Sequence, residues 1–188
     1  MLGKSELRKK YKQKRQSLTE DEIRLRSLNL LQQLKETDVF KNQVFHIFLP
    51  IENQKEVFTW FFIEFLRMKK KTIVVSKCNF KTTTLEHFLL EHNTILETNS
   101  YGVLEPVKAQ KIPLKDLDVI FAPLLISDHK KHRVGYGKGF YDRFLAKCKD
   151  TVQIIGLNFF EPIDSIPDIN TYDISLNEVF FYSRQHII

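Results

Sequence analysis

Cysteine is scarce in this chain of 188 residues. Cys78 and Cys148 stand far apart and no CxxC pair occurs, so neither a disulfide framework nor a zinc motif is legible. Long apolar runs are missing too. The most apolar stretch, residues 57–66, is about half the length a membrane span requires and carries Glu64. The charged first ten residues lead into no apolar segment of the signal-peptide kind. These absences predict a cytoplasmic protein without a membrane partner. Repeats, low-complexity tracts and linker-like segments are also lacking, which predicts one domain over residues 1–188.

A chain of this size buries about 70% of its unfolded surface and needs no disulfide or structural metal to fold. Its formal net charge is +6. That suits an anionic partner, whether a nucleotide, a polyanionic small molecule or a nucleic acid. Residues 5–34 lack proline and are rich in Leu, Lys, Arg, Glu and Gln, so they read as helices. A break is expected at residues 17–20, with Thr19 or Ser17 as the cap. Lys4, Arg8 and Lys12 recur every four residues and share one helical face.

The remainder alternates. Strands are predicted over residues 44–49, 72–75, 85–90, 119–123, 152–157 and 179–182, and helices over 56–68 and 139–147. This pattern predicts an α/β fold in three layers, a mostly parallel sheet with helices on both faces. In such sheets ligands sit beyond the carboxyl ends of the strands, which directs attention to the loops after Leu49 and Pro123. His46 falls inside a strand and reads as a core histidine, whereas His129 and His132 read as surface loop residues.

Glycine is sparse as well, yet three of the six fall at Gly135, Gly137 and Gly139. The segment Arg133-Val134-Gly135-Tyr136-Gly137-Lys138-Gly139-Phe140-Tyr141-Asp142 lies between a predicted strand and a predicted helix. Alternating glycines permit positive φ and a close approach of backbone to a ligand, and successive amides form an anion nest. Arg133 and Lys138 add full charges, and Asp142 sits where a carboxylate can hold a metal against phosphates. The plainer reading is a flexible turn beside solvated charges. The spacing is neither a Walker A loop nor GxGxxG.

This segment resembles the signature of the 5-formyltetrahydrofolate cyclo-ligase family, and the resemblance runs from Lys4 to about Phe181. It implies an enzyme that uses ATP and Mg²⁺ to close 5-formyltetrahydrofolate to 5,10-methenyltetrahydrofolate, with release of ADP and phosphate. It further implies ATP contacts from Lys4, Arg8 and residues 133–141 (Arg133, Val134, Gly135, Tyr136, Gly137, Lys138, Gly139, Phe140, Tyr141), with Arg133 and Lys138 in the catalytic roles. Leu49, Glu56, Tyr136 and Phe140 would meet the reduced folate. Asp142 would bind the metal. The family's second acidic metal ligand aligns with Asn177, which offers an oxygen without charge, and Asp173, four residues earlier, is the alternative. Phe58 replaces a usual acidic residue, and Lys131 stands where glycine is common. Residues 101–106 resemble a family turn, and Asp128 matches an Asp that precedes the glycine loop. A monomer with no nucleic-acid partner is expected. The alternatives are a family member that binds folate or nucleotide without turnover, on account of Asn177, and a basic nucleic-acid-binding module. A different enzyme on a similar sheet is a further possibility.

Overall fold

A computed structural model describes residues 1–184. Two helices lead, α1 (Lys4–Gln16) and α2 (Glu20–Lys35). Thr19 separates them. Its hydroxyl accepts the Glu22 amide, and the Glu22 carboxylate accepts the Thr19 amide, a reciprocal cap. The chain then runs through β1 (Val44–His46), α3 (Trp60–Met68), β2 (Thr72–Asn79), β3 (Thr84–Leu89), β4 (Ile95–Thr98) and β5 (Leu104–Val107). It continues through β6 (Val119–Pro123), β7 (Ile126–Ser127), β8 (Arg133–Val134), α4 (Phe140–Leu145), β9 (Gln153–Asn158) and β10 (Glu178–Phe181).

The main sheet has the order β10-β9-β6-β1-β2-β3. All neighbours in it are parallel except β3, which turns back antiparallel on β2. Alternate residues divide the core between the two faces. Phe45, Ile73, Val75, Phe121 and Leu157 pack under α2 and α3 with Leu30, Phe62 and Leu66. Val74, Ile120, Ala122 and Ile154 face the other way, under Phe144 and Leu145 of α4. The expected three-layer, mostly parallel architecture is therefore present. Beyond the end of β6, Leu7 and Tyr11 of α1 pack with Leu125, Ile126, Val134 and Ile166. That contact seats α1 above the carboxyl ends of the strands.

Three local expectations are corrected. The helix predicted from residue 56 begins at Trp60, because Glu56 accepts the Ile51 amide and the Thr59 hydroxyl donates to the Phe48 carbonyl, holding residues 56–59 outside the helix. The helix predicted over 139–147 is confined to six residues. The β4–β5 hairpin and the β7–β8 pair had no counterpart in the sequence reading, since β4 is mostly exposed and carries no apolar alternation.

His46 is fully buried in β1, as expected of a core histidine. Its Nε2 lies 2.7 Å from Ser76 Oγ, which in turn lies 3.3 Å from His87 Nδ1. Both rings pack on Phe144. Burial, reinforced by the neighbouring His87, holds His46 well below the usual histidine range, and burial pushes His87 down to about 4. The unfolded chain binds these protons near the ordinary value of about 6.5 while the folded chain refuses them, so stability falls as pH drops through that window. We predict that His87→Leu flattens this dependence. The stability difference between variant and parent, read by urea unfolding, should shift by up to about 3 kcal/mol in favour of the variant from about pH 7 to pH 4. Identical slopes would refute the assignment.

Candidate functional site

Beyond the carboxyl ends of β1 and β6 opens a cleft of about 840 Å³, within the size range of small-molecule sites. Every residue from Arg133 to Asp142 lines it, together with Lys4, Arg8, Leu49, Glu56 and Asp173. Segments remote in sequence thus meet where the parallel-sheet rule places a ligand. Asn177 does not line this cleft. It precedes β10, where its Oδ1 accepts the Ile154 amide at 2.7 Å and its own amide donates to the Ile154 carbonyl. That pairing fixes the register of β10 on β9. The acidic position that reaches the cleft is Asp173.

The glycine loop is held by α1. Arg8 Nε donates to the Gly135 carbonyl at 2.9 Å. The Arg8 guanidinium occupies the space a side chain at Gly137 would need, since a Cβ there would lie 2.8 Å from Cζ. Gly137 also has φ +85, a conformation that disfavours any other residue. Gly135 differs, because a Cβ built on it meets nothing within 4 Å and the residue faces the cleft.

Two ion pairs line the cleft. Buried Arg133 donates to Asp142 Oδ1 at 2.6 Å and also to the Ile174 carbonyl. Lys4 pairs with Asp173, which also accepts the Asn170 amide. Burial alone would raise the Asp173 carboxyl, but the Asn170 amide and the Lys4 ammonium outweigh it and hold the group below its ordinary value. No cluster of three or more His, Cys, Asp or Glu occurs among the described residues. The carboxylates of Asp142 and Asp173 in the cleft nevertheless suit Mg²⁺, which commonly takes one or two carboxylates plus phosphate oxygens.

Glu56 lies at the inner wall and is buried. Its Oε2 accepts the Ile51 amide at 2.8 Å, and its Oε1 accepts the Tyr136 hydroxyl at 2.6 Å. Burial raises its carboxyl above the ordinary range, opposed by the charge of Arg15. At the mouth, Phe80 stacks on Tyr101 with ring centroids 4.0 Å apart and meets Phe140 edge-on. Lys138 Nζ lies 5.1 Å from the Tyr101 ring centroid. Cys78 also lines the cleft, but burial and the adjacent Glu105 push its thiol up to about 11, so it offers no thiolate nucleophile near neutrality. Phe80, Ser76 and Arg15 were not singled out by the sequence reading. An aromatic at a hairpin tip and one arginine in a lysine-rich helix carry no motif.

Comparison with known proteins gives one consistent answer. The description of the 5-formyltetrahydrofolate cyclo-ligase family matches residues 1–182. A 5-formyltetrahydrofolate cyclo-ligase of Haemophilus influenzae is 29% identical over 85% of this chain and 86% of its own length. One from Mus musculus is 27% identical over 95% and 93%. The NMR structure of Aquifex aeolicus 5,10-methenyltetrahydrofolate synthetase superposes with a TM-score of 0.80 at 27% identity, covering 95% of this chain and 89% of that one.

The joint between Arg8 and Gly137 is open to a double-mutant test. Gly137→Ala should destabilise the protein by about 1–3 kcal/mol through strain and the clash with the guanidinium. Adding Arg8→Ala should recover part of that loss, with a coupling of about 0.5–2 kcal/mol in urea unfolding. Strictly additive effects would show that the two residues do not press on one another.

Proposed function

As the chain belongs to the 5-formyltetrahydrofolate cyclo-ligase family, we propose that it closes 5-formyltetrahydrofolate to 5,10-methenyltetrahydrofolate using ATP and Mg²⁺. The observation that carries this reading is the convergence on one cleft of the glycine loop, the basic face of α1 and the carboxylates of Asp142 and Asp173. The basic residues Lys4, Arg8 and Lys12 line a pocket of small-molecule size, which favours a compact polyanion over a nucleic acid.

In the proposed reaction the formyl oxygen attacks the γ-phosphorus of ATP, and ADP leaves. The neighbouring ring-side nitrogen then closes onto the activated carbon, the carbon–oxygen bond breaks, phosphate departs and the nitrogen's proton goes to solvent. Catalysis of this kind rests on positioning and on charge placed where charge develops. Lys4, Arg8 and Lys138 supply that charge to the phosphates, and Arg133 stiffens the loop through Asp142. The open side of Gly135 lets a phosphate lie against the backbone amides of residues 135–139. Asp142 and Asp173 would hold Mg²⁺, which neutralises charge on the transferred group. Glu56 offers its carboxylate to the pterin's N–H donors, between walls formed by Leu49, Tyr136 and Phe140. No side chain is required as an obligatory general base.

The alternative of a member without turnover rests on Asn177, which pairs with Ile154 outside the cleft, whereas Asp142 and Asp173 line it. The decisive assay combines purified protein, 5-formyltetrahydrofolate, ATP and Mg²⁺, and follows methenyltetrahydrofolate by its near-ultraviolet absorbance. Product that depends on ATP is expected. Folate binding without product would favour the non-turnover member, and no response to either ligand would overturn the reading.

Two variants test the roles. Lys138→Ala should raise KM for ATP about tenfold, the loss of one charge-assisted contact, and an unchanged KM would remove Lys138 from the phosphate site. Asp173→Asn should raise the Mg²⁺ concentration needed for half-maximal activity, whereas Asn177→Asp should leave it unaltered. The opposite pattern would return the metal to Asn177.

A further inference from the structure

Arg15, in the last turn of α1, is 4% exposed. It does not line the cleft, and its Nε–H is buried without a hydrogen-bond partner among the described residues. Its side-chain hydrogen bond runs from Nη2 to the Tyr136 hydroxyl. Because that hydroxyl accepts from Arg15, its own proton is free to go to Glu56 Oε1, 2.6 Å away. The Tyr136 ring lies flanked by two cations, Arg15 at 5.5 Å and Lys12 at 5.2 Å from its centroid. A directed chain thus runs from α1, through the glycine loop, to a carboxylate on the inner wall of the cleft.

Such an arrangement is costly for stability. Buried ion pairs and arginines with unmet donors rarely stabilise a fold better than apolar residues of similar size. A Leu or Met in the same place would pack among the neighbouring side chains without that cost. Buried charge clusters of this kind gather at functional sites, where a particular protonation state has to be maintained. The groups facing the Glu56 carboxyl are Arg15 from α1, the Tyr136 phenol and the Ile51 amide from two loops, and Tyr141 from α4. Arg15 is the one cation among them.

We propose that Arg15 is a positioning residue of this site, aiming the Tyr136 hydroxyl at Glu56 and keeping that buried carboxylate charged for the hydrogen-bond donors of the substrate. The proposal rests on the reading of Glu56 as a folate contact, and its test separates the two. The direct readout is the titration of Glu56 by carbon-13 NMR on protein labelled at glutamate carboxyls, with Glu56→Gln to assign the signal. In Arg15→Met the midpoint should rise by about one pH unit or more relative to the parent, the effect of removing an adjacent cation. Arg15→Lys, which restores the charge, should return it toward the parental value. An unmoved midpoint in Arg15→Met overturns the proposal. Should that variant fail to fold, Tyr136→Phe cuts the link with Arg15 in place, and an unmoved midpoint there is equally fatal.

The kinetic arm follows the substrate. KM for 5-formyltetrahydrofolate in Arg15→Met should rise relative to the parent at the acidic end of the profile and recover toward the parental value as pH rises, with KM for ATP unchanged. A rise of equal size at every pH would mark Arg15 as structural only. If the parent protein neither binds nor converts the folate, the functional reading fails, while the NMR midpoint still decides what Arg15 does to Glu56.

Discussion

One joint governs the geometry of the cleft: α1 against the glycine loop. Arg8 bonds the Gly135 carbonyl and fills the notch left by the missing side chain at Gly137. Lys4 reaches Asp173, and Arg15 reaches the Tyr136 hydroxyl. A single helix thus holds the glycine loop at two heights, through Arg8 and Arg15, and reaches the segment of Asp173 through Lys4. An arginine or lysine on an unattached helix would spend its time in water, and it is the apolar seat formed by Leu7 and Tyr11 against Leu125, Ile126 and Val134 that keeps these side chains over the strand ends. Apolar packing places the helix, and the cations then place the loop.

The sheet supplies the other half of the frame. The parallel strands β1 and β6 end side by side, and Phe48, Leu49 and Pro123 at those ends line the cleft. The hairpins at the far edge contribute Phe80 and Tyr101 at its mouth. The cations Lys4, Arg8 and Lys12 line the α1 side of the cleft, and Phe48, Leu49, Phe80 and Tyr101 line the strand ends and hairpin tips. A ligand with a phosphate chain at one end and flat ring systems at the other matches that division. The pairing of Lys4 with Asp173 and of Arg133 with Asp142 keeps the cations ordered within the cleft.

Much of this was legible in the sequence. Short continuous apolar runs such as residues 72–75 and 119–123 are bounded strongly enough to read as strands, and a glycine every second residue in a glycine-poor chain has few physical explanations. What was illegible depends on contacts between remote segments. Arg15 looks like any other basic residue of α1 until Tyr136, 121 positions away, is laid against it. Phe80 acquires a role only when Tyr101 closes on it from a second hairpin. Asn177 and Asp173 are four residues apart on one extended segment, and only the pairing of Asn177 with Ile154 reveals which of the two turns toward the cleft. The helix predicted from residue 56 failed for a related reason, since a buried carboxylate caught by the Ile51 amide outweighs local helical preference.

The separations along the chain carry an implication for biosynthesis. Arg8 and Gly135 are 127 positions apart, and Lys4 and Asp173 are 169 apart. The first helix therefore leaves the ribosome long before the partners of Lys4, Arg8 and Arg15 exist. Until then its cations and the apolar stripe of Leu7 and Tyr11 remain uncovered, so nascent chains arrested before residue 133 should be clients for holding chaperones. Assembly of the cleft is in this sense the closing event of folding, when nearly the last-made loops return to the first-made helix.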